Sequence, residues 1–156
     1  MSALIKTTRI LDVKYFLLLP RLADMDTPID DIQWSAVLRS VSGLQMYRMR
    51  FGRIVPLNIV DFMILDESFP RSVRHCVAAS AKALQTIAGG VENDATRVAE
   101  SLRRQLESGV AVDIVRGGLH EFIDSTQMNL NELGILVSET YFSSQPVIAM
   151  ASAGLQ

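Results

Sequence analysis

Apolar residues recur along this chain at three-, four- and seven-residue offsets, the period of a helix with one buried face, and no stretch alternates in the two-residue period of a strand. Leu4, Leu11, Tyr15 and Leu18 give a first face over residues 2–19, which Pro20 stops. Asp24, Asp26, Thr27, Pro28 and Asp30 then form a turn-rich cluster suited to capping a helix that starts near Asp31. Trp34, Val37, Leu38 and Val41 give that helix its apolar side, Gly43 breaks or bends it, and Leu44 to Phe51 resume the pattern up to Gly52.

Pro56 suits the first turn of a short helix running to Leu65, because proline's missing N–H is not needed there. Asp66 to Phe69 read as a turn, and Pro70 opens a longer helix with Val73, Cys76, Val77, Leu84 and Ile87 on one face. Gly89 and Gly90 stop it. Asn93 and Asp94 cap another helix with Ala95, Val98, Leu102 and Leu106 on its apolar side, ended by Gly109. Val112, Val115, Leu119, Phe122, Leu130, Leu133, Val137 and Tyr141 then outline one long helix, with a kink expected at Gly117-Gly118. The expectation is an all-α fold: a bundle of five or six helices with a long C-terminal helix, residues 1–145 forming one domain and 146–156 a frayed tail.

Composition narrows the function classes. Hydrophobic residues are 49% and charged residues 21%, the balance of a folding domain rather than a disordered one. Fifteen Lys and Arg against seventeen Asp and Glu give a formal charge of −2, so no overall field draws the chain to nucleic acid or anionic lipid. The apolar run Ile10 to Leu19 contains Asp12 and Lys14 and is half the roughly 20 residues a spanning helix needs, which excludes a membrane reading. With Cys76 alone there is no internal disulfide, and a reducing, cytoplasmic setting is expected.

Candidate chemistry gathers between Tyr47 and His75, where Arg48, Arg50, Arg53, Arg71 and Arg74 lie among Asp61, Asp66 and Glu67. Arg71 and Arg74 follow Pro70 in what reads as a first helical turn, a place where the helix dipole disfavours cations unless a negative group is near. Three arrangements satisfy that need. The carboxylates can pair with the arginines and fasten two helices at a turn. Arg48, Asp66, Arg71 and Arg74 can form an anion- or carboxylate-binding site at a helix start. Or the arginines can meet the acidic patch of a partner protein.

His120, Glu121 and Asp124 form a second polar cluster, with His120 and Asp124 four residues apart, but two facing ligands without a second histidine do not make a metal site. Cys76 falls on the apolar face and reads as a packed thiol, and His75 points away from it, so no nucleophile–base pair is assigned. Nucleophile-elbow, phosphate-loop, dinucleotide and C-x-x-C signatures are absent. No metal and no cofactor are expected.

Several ordered blocks carry a resemblance. Thr8-Arg9-Ile10-Leu11-Asp12-Val13-Lys14-Tyr15, Gln33-Trp34-Ser35-Ala36-Val37-Leu38-Arg39-Ser40, Tyr47-Arg48, Phe62-Met63-Ile64-Leu65-Asp66, Phe69-Pro70-Arg71-Ser72-Val73-Arg74, Gly118-Leu119-His120-Glu121-Phe122-Ile123-Asp124 and Thr140-Tyr141-Phe142 resemble the bacterial alpha-E family. The family is named for a helical domain with a Glu-Arg motif, and its members usually have two related halves. The resemblance implies that this chain corresponds to the second half. In the family pattern Glu-Arg lies a few residues before the Arg-Ile-Leu-Asp-Val block, near Ser2-Ala3 here, and neither residue matches.

The resemblance further implies a setting beside ATP-grasp ligases and transglutaminase-like proteins. The leading expectation is therefore a non-catalytic or accessory module of a peptide-ligation or peptide-modification system, acting through protein contacts. A homo-oligomer, or an ATP-grasp or transglutaminase-like protein, is the expected partner. The alternatives are an enzyme forming or cleaving amide bonds with an Arg-rich carboxylate site, and a purely structural oligomeric helical protein.

Overall fold

The structure is a computed structural model and describes residues 28–142. The sequence segments 2–19 and 146–156, read above as a first helix and a frayed tail, lie outside the described residues. The described chain is all helix and turn, without a strand. In order the elements are α1 (Pro28–Ser40), α2 (Leu44–Phe51), α3 (Pro56–Val60) with a π-helical continuation (Asp61–Leu65), α4 (Val73–Ile87), α5 (Asp94–Glu107) and α6 (Ala111–Tyr141).

Two boundaries differ from the periodicity. α1 begins at Pro28 rather than near Asp31, because proline's fixed φ suits a first helical turn and the polar residues beside it continue into the helix. α4 begins at Val73 rather than Pro70: Ser72 has extended backbone (ψ 154°) and its hydroxyl accepts from the His75 N–H at 3.0 Å, so it is the cap. Pro70 and Arg71 belong to the preceding turn.

The α3–π element is the centre of the fold. Ile59, Val60, Phe62, Met63, Ile64 and Leu65 are all buried, and a helix apolar on every side must be enclosed on every side. α4, α5 and α6 pack around it. The larger cluster runs from Trp34, Val37 and Leu38 of α1 through Tyr47, Phe62 and Phe69 to Ile114, Leu119, Ile123 and Leu130 of α6. A smaller one joins Ala81 and Leu84 of α4, Ala95 and Ala99 of α5, and Leu133 of α6.

Gly43 marks where α1 gives way to α2, and its lack of a side chain has a packing reason. The Phe62 and Phe69 rings stack with centroids 4.4 Å apart beside it. A Cβ built on Gly43 would stand 2.9 Å from Phe69 Cζ and 3.0 Å from Phe62 Cε1. The long helix α6 kinks at the expected place: Gly118 has φ 103° and ψ 100°, a region closed to residues with a Cβ. α5 starts with a reciprocal cap, Asn93 Oδ1 accepting from the Thr96 N–H at 2.9 Å and Thr96 Oγ1 accepting from the Asn93 N–H at 2.9 Å. Asn93 Nδ2 also donates to the Tyr141 hydroxyl at 2.8 Å, tying the start of α5 to the end of α6.

Candidate functional site

The arginine-rich stretch folds into a set of fastened turns at one end of the α3–π element. At its centre is Asp66, whose side chain is fully buried although its residue type is seldom found so. The π element ends at Leu65, and Asp66 turns the chain out in extended conformation (φ −66°, ψ 125°). Its Oδ1 accepts from the Ser68 N–H at 2.7 Å and the Phe69 N–H at 2.9 Å, which closes the turn over residues 66–69. Its Oδ2 pairs with Arg50 Nη1 from α2. Its carbonyl accepts from the Ser72 hydroxyl, the same hydroxyl that caps α4. One residue thereby joins the π element, α2 and α4.

The neighbouring cations are held in the same manner. Arg71 Nη1 donates to the Val41 carbonyl at 3.1 Å and to Ser42 Oγ at 3.0 Å. Ser42 has φ 56°, a left-handed conformation uncommon for a residue with a side chain, so Arg71 clamps the strained corner between α1 and α2. Arg74 donates to the Leu65 carbonyl at 3.4 Å and pairs with Glu67 at 3.3 Å. His75 donates from Nδ1–H to the Glu67 carbonyl at 2.7 Å. Asp61 lies half-buried in the π element, and burial pushes its carboxyl above the ordinary range, against the pull of Arg50 and Arg74.

Of the four candidate anion-site residues, the fold brings Asp66, Arg71 and Arg74 to the same set of turns. Arg48 stays exposed on α2 outside it. Arg50 takes the place beside Asp66. The two arginines stand on opposite flanks of the face formed by Tyr47 and Phe51, and helical spacing gives no reason to choose between the flanks. What decides is how α2 lies on the π element. Tyr47 fixes that placement: its ring is fully buried, lies 5.0 Å from Phe51 and 5.5 Å from Phe62, and its hydroxyl donates to the Arg53 carbonyl at 3.0 Å while accepting from the Val55 N–H at 3.1 Å. Burial raises the Tyr47 phenol above its usual range, so it stays a neutral donor.

Cys76 is half-buried, its thiol donating to the Pro70 carbonyl at 3.4 Å, and burial pushes its pKa up, which disfavours the nucleophilic thiolate. The second cluster follows the kink of α6: His120, Glu121 and Asp124 are exposed. Glu121 folds its carboxylate back against Gly118, in the way a third-position acid covers the open N–H groups of a helix start. Among the described residues no three His, Cys, Asp or Glu side chains come together as metal ligands would. No helix among them is long and apolar enough to cross a membrane.

A second charged array covers α5. Glu100 accepts from Arg103 at 2.7 and 2.8 Å and from Arg104 at 3.0 Å, while Arg103 also pairs with Glu107. The two guanidinium groups hold the Glu100 carboxyl down to about 2. Beside it, a surface groove of about 620 Å³ is lined by residues that include Thr96, Arg97, Glu100 and Arg104.

The geometry is that of an all-helical fold in which Arg50, Arg71 and Arg74 are bonded to carboxylates and backbone groups of the same chain at its turns. Residues 3–142 match the Alpha-E family, described as a predicted alpha-helical domain with a conserved ER motif. The chain belongs to that family, and the match covers most of it. No Glu-Arg dipeptide occurs in the sequence. No curated protein and no solved structure matches the chain.

Proposed function

We propose that this Alpha-E chain is a non-catalytic accessory module of a bacterial peptide-ligation or peptide-modification system, working in the cytoplasm through contacts with another protein. The observation that carries the reading is the way the most reactive-looking side chains are used. Asp66, Arg71 and Arg74 each spend their hydrogen bonds on backbone groups or on residues of the same chain, at turns that set the path of α2 and α4. These side chains are already oriented by the chain's own groups rather than gathered around an open carboxylate-sized space. Cys76, the one thiol, is shifted away from its nucleophilic form. An ATP-grasp or transglutaminase-like protein is the proposed partner, on the family resemblance.

The test is co-expression of the full chain with an ATP-grasp ligase encoded beside it, followed by affinity purification of one and measurement of ligase turnover with and without the other. Stable co-purification with a change in turnover is the expected result. A purified chain that by itself forms or cleaves amide bonds, with loss of that activity in Arg74→Ala while the fold is kept, would overturn the reading.

A further inference from the structure

Beyond its kink, α6 has two faces of different character. Leu119, Ile123, Thr126, Leu130 and Leu133 are buried against the rest of the fold. On the opposite side, at about 100° per residue, Glu121, Asp124, Met128, Glu132, Ile135 and Glu139 all fall within about 40° of the Met128 direction. Every one of them is exposed. Met128 is 65%, Ile135 59% and Phe142, just past the helix end, 75% exposed. The three apolar side chains are spaced by seven residues, one of the two positions that a helix–helix seam uses in each heptad, and Asn131 and Ser138 at the other make the face narrow and mixed. An open depression of about 420 Å³ lies between the first two, bordered by Asn131, Glu132 and Leu136, which is the shape that receives a side chain from outside.

The charge on this face is one-sided. From Gly117 to Phe142 the sequence carries Glu121, Asp124, Glu132 and Glu139 and neither Lys nor Arg. A second copy of the same face would set carboxylate against carboxylate, and an anionic membrane or nucleic acid would be repelled for the same reason. Glu132 and Glu139 stand one turn beyond Met128 and Ile135, and Glu121 and Asp124 continue the same stripe toward the kink, so the apolar positions sit among carboxylates that favour a partner of opposite sign.

We infer that the outer face of α6 is a docking surface for an amphipathic helix of a partner protein, one presenting apolar residues at seven-residue spacing flanked by Lys or Arg. The inference rests on the accessory reading above and gives that reading its surface. The partner's apolar side chains seat around Met128, Ile135 and Phe142, and its cations meet Glu132 and Glu139 on one end and Glu121 and Asp124 on the other. Association is steered by charge and weakens with salt.

Two synthetic 21-residue peptides test this against the full chain by fluorescence anisotropy. Both carry Leu at the first and fourth positions of three heptads; one has Lys at the flanking positions and its twin has Glu. The Lys peptide is expected to bind at least tenfold more tightly than the Glu peptide, to lose tenfold or more with Ile135→Ser and with the Glu132→Lys, Glu139→Lys double variant, and to weaken as salt is raised. All substitutions are on exposed positions, and circular dichroism checks the fold. Equal binding of the two peptides, no binding of either, or self-association that Ile135→Ser abolishes would overturn the inference. Co-purification of the ligase unchanged by Ile135→Ser would overturn it while leaving the accessory reading intact, whereas co-purification lost with that variant supports both.

Discussion

Asp66 and Glu100 are both carboxylates bonded by arginine, and the two regions use that chemistry to opposite ends. Asp66 is enclosed, accepts from two backbone N–H groups as well as Arg50, and sits where three elements meet. Glu100 lies on the outside of α5, and its partners Arg103 and Arg104 come from the next turn of the same helix. Removing the enclosed carboxylate leaves the buried Phe69 N–H without an acceptor, whereas a surface pair exchanges one set of solvated contacts for another. The lesson is that the number of ion pairs says little here and their enclosure says much. The dense ladder on α5 decorates a helix that its cap and its apolar face already specify.

Substitutions sharpen that contrast. Asp66→Ala strands the buried Phe69 N–H, takes the acceptor from the Ser68 N–H and the half-exposed Arg50, and is expected to destabilise the chain by about 1–3 kcal/mol in urea unfolding; Asp66→Asn, which keeps an acceptor oxygen, should lose roughly half of that. An Asp66→Ala chain as stable as the wild type would break the comparison. Gly43→Ala tests the tightness of the same region from its apolar side: the new methyl meets the Phe62–Phe69 stack, and a loss of about 1–3 kcal/mol is expected, read from the same unfolding curves. Asp61→Asn should act in the other direction. Burial raises the Asp61 carboxyl in the folded state, so its folded form favours the proton and the folded chain is penalised once the pH rises through that raised value. The Asn variant is expected to melt slightly higher than wild type at pH 7 and alike at pH 3.

The smallest effect belongs to α5. Glu100 is held well below the ordinary carboxylate value, so its contribution is present above about 4.5 and is lost as the pH falls towards about 2. Glu100→Gln is expected to leave the melting temperature at pH 7 in physiological salt within error and to flatten only the acid end of the profile. A clear drop at pH 7 would show that the exposed ladder does more than decorate.

Much of this was legible in the sequence, for identifiable reasons. Every described helix left a 3.6-residue stripe or a run of enclosed apolar residues, and Gly52, Gly89 and Asn93 punctuate them where the chain turns or caps. The kink at Gly118 was legible because two adjacent glycines inside a strong pattern need a reason. The π-helical turn of residues 61–65 was not, since Phe62, Met63, Ile64 and Leu65 are four consecutive buried apolar residues and leave no polar position among them to mark the period of a widened turn. The start of α4 was misplaced by reading Pro70 as a first helical residue, when Ser72 is the capping side chain. Arg50 rather than Arg48 meets Asp66 because of how α2 lies on the π element, and nothing in the helical spacing distinguishes the two flanks on which these arginines stand. The fastening of turns could be anticipated from the mixture of Arg, Asp and Glu, but which cation met which anion could not.

The course of α6 has one more consequence. Leu119, Ile123 and Leu130 belong to the larger apolar cluster and Leu133 to the smaller, so a single unbroken length of helix is shared by both. Neither cluster can come apart without fraying that shared rod. Backbone amides between Leu119 and Leu133 should accordingly be the last in the chain to exchange with heavy water, opening only in excursions that dismantle the whole domain, while the corner around Ser42 exchanges early.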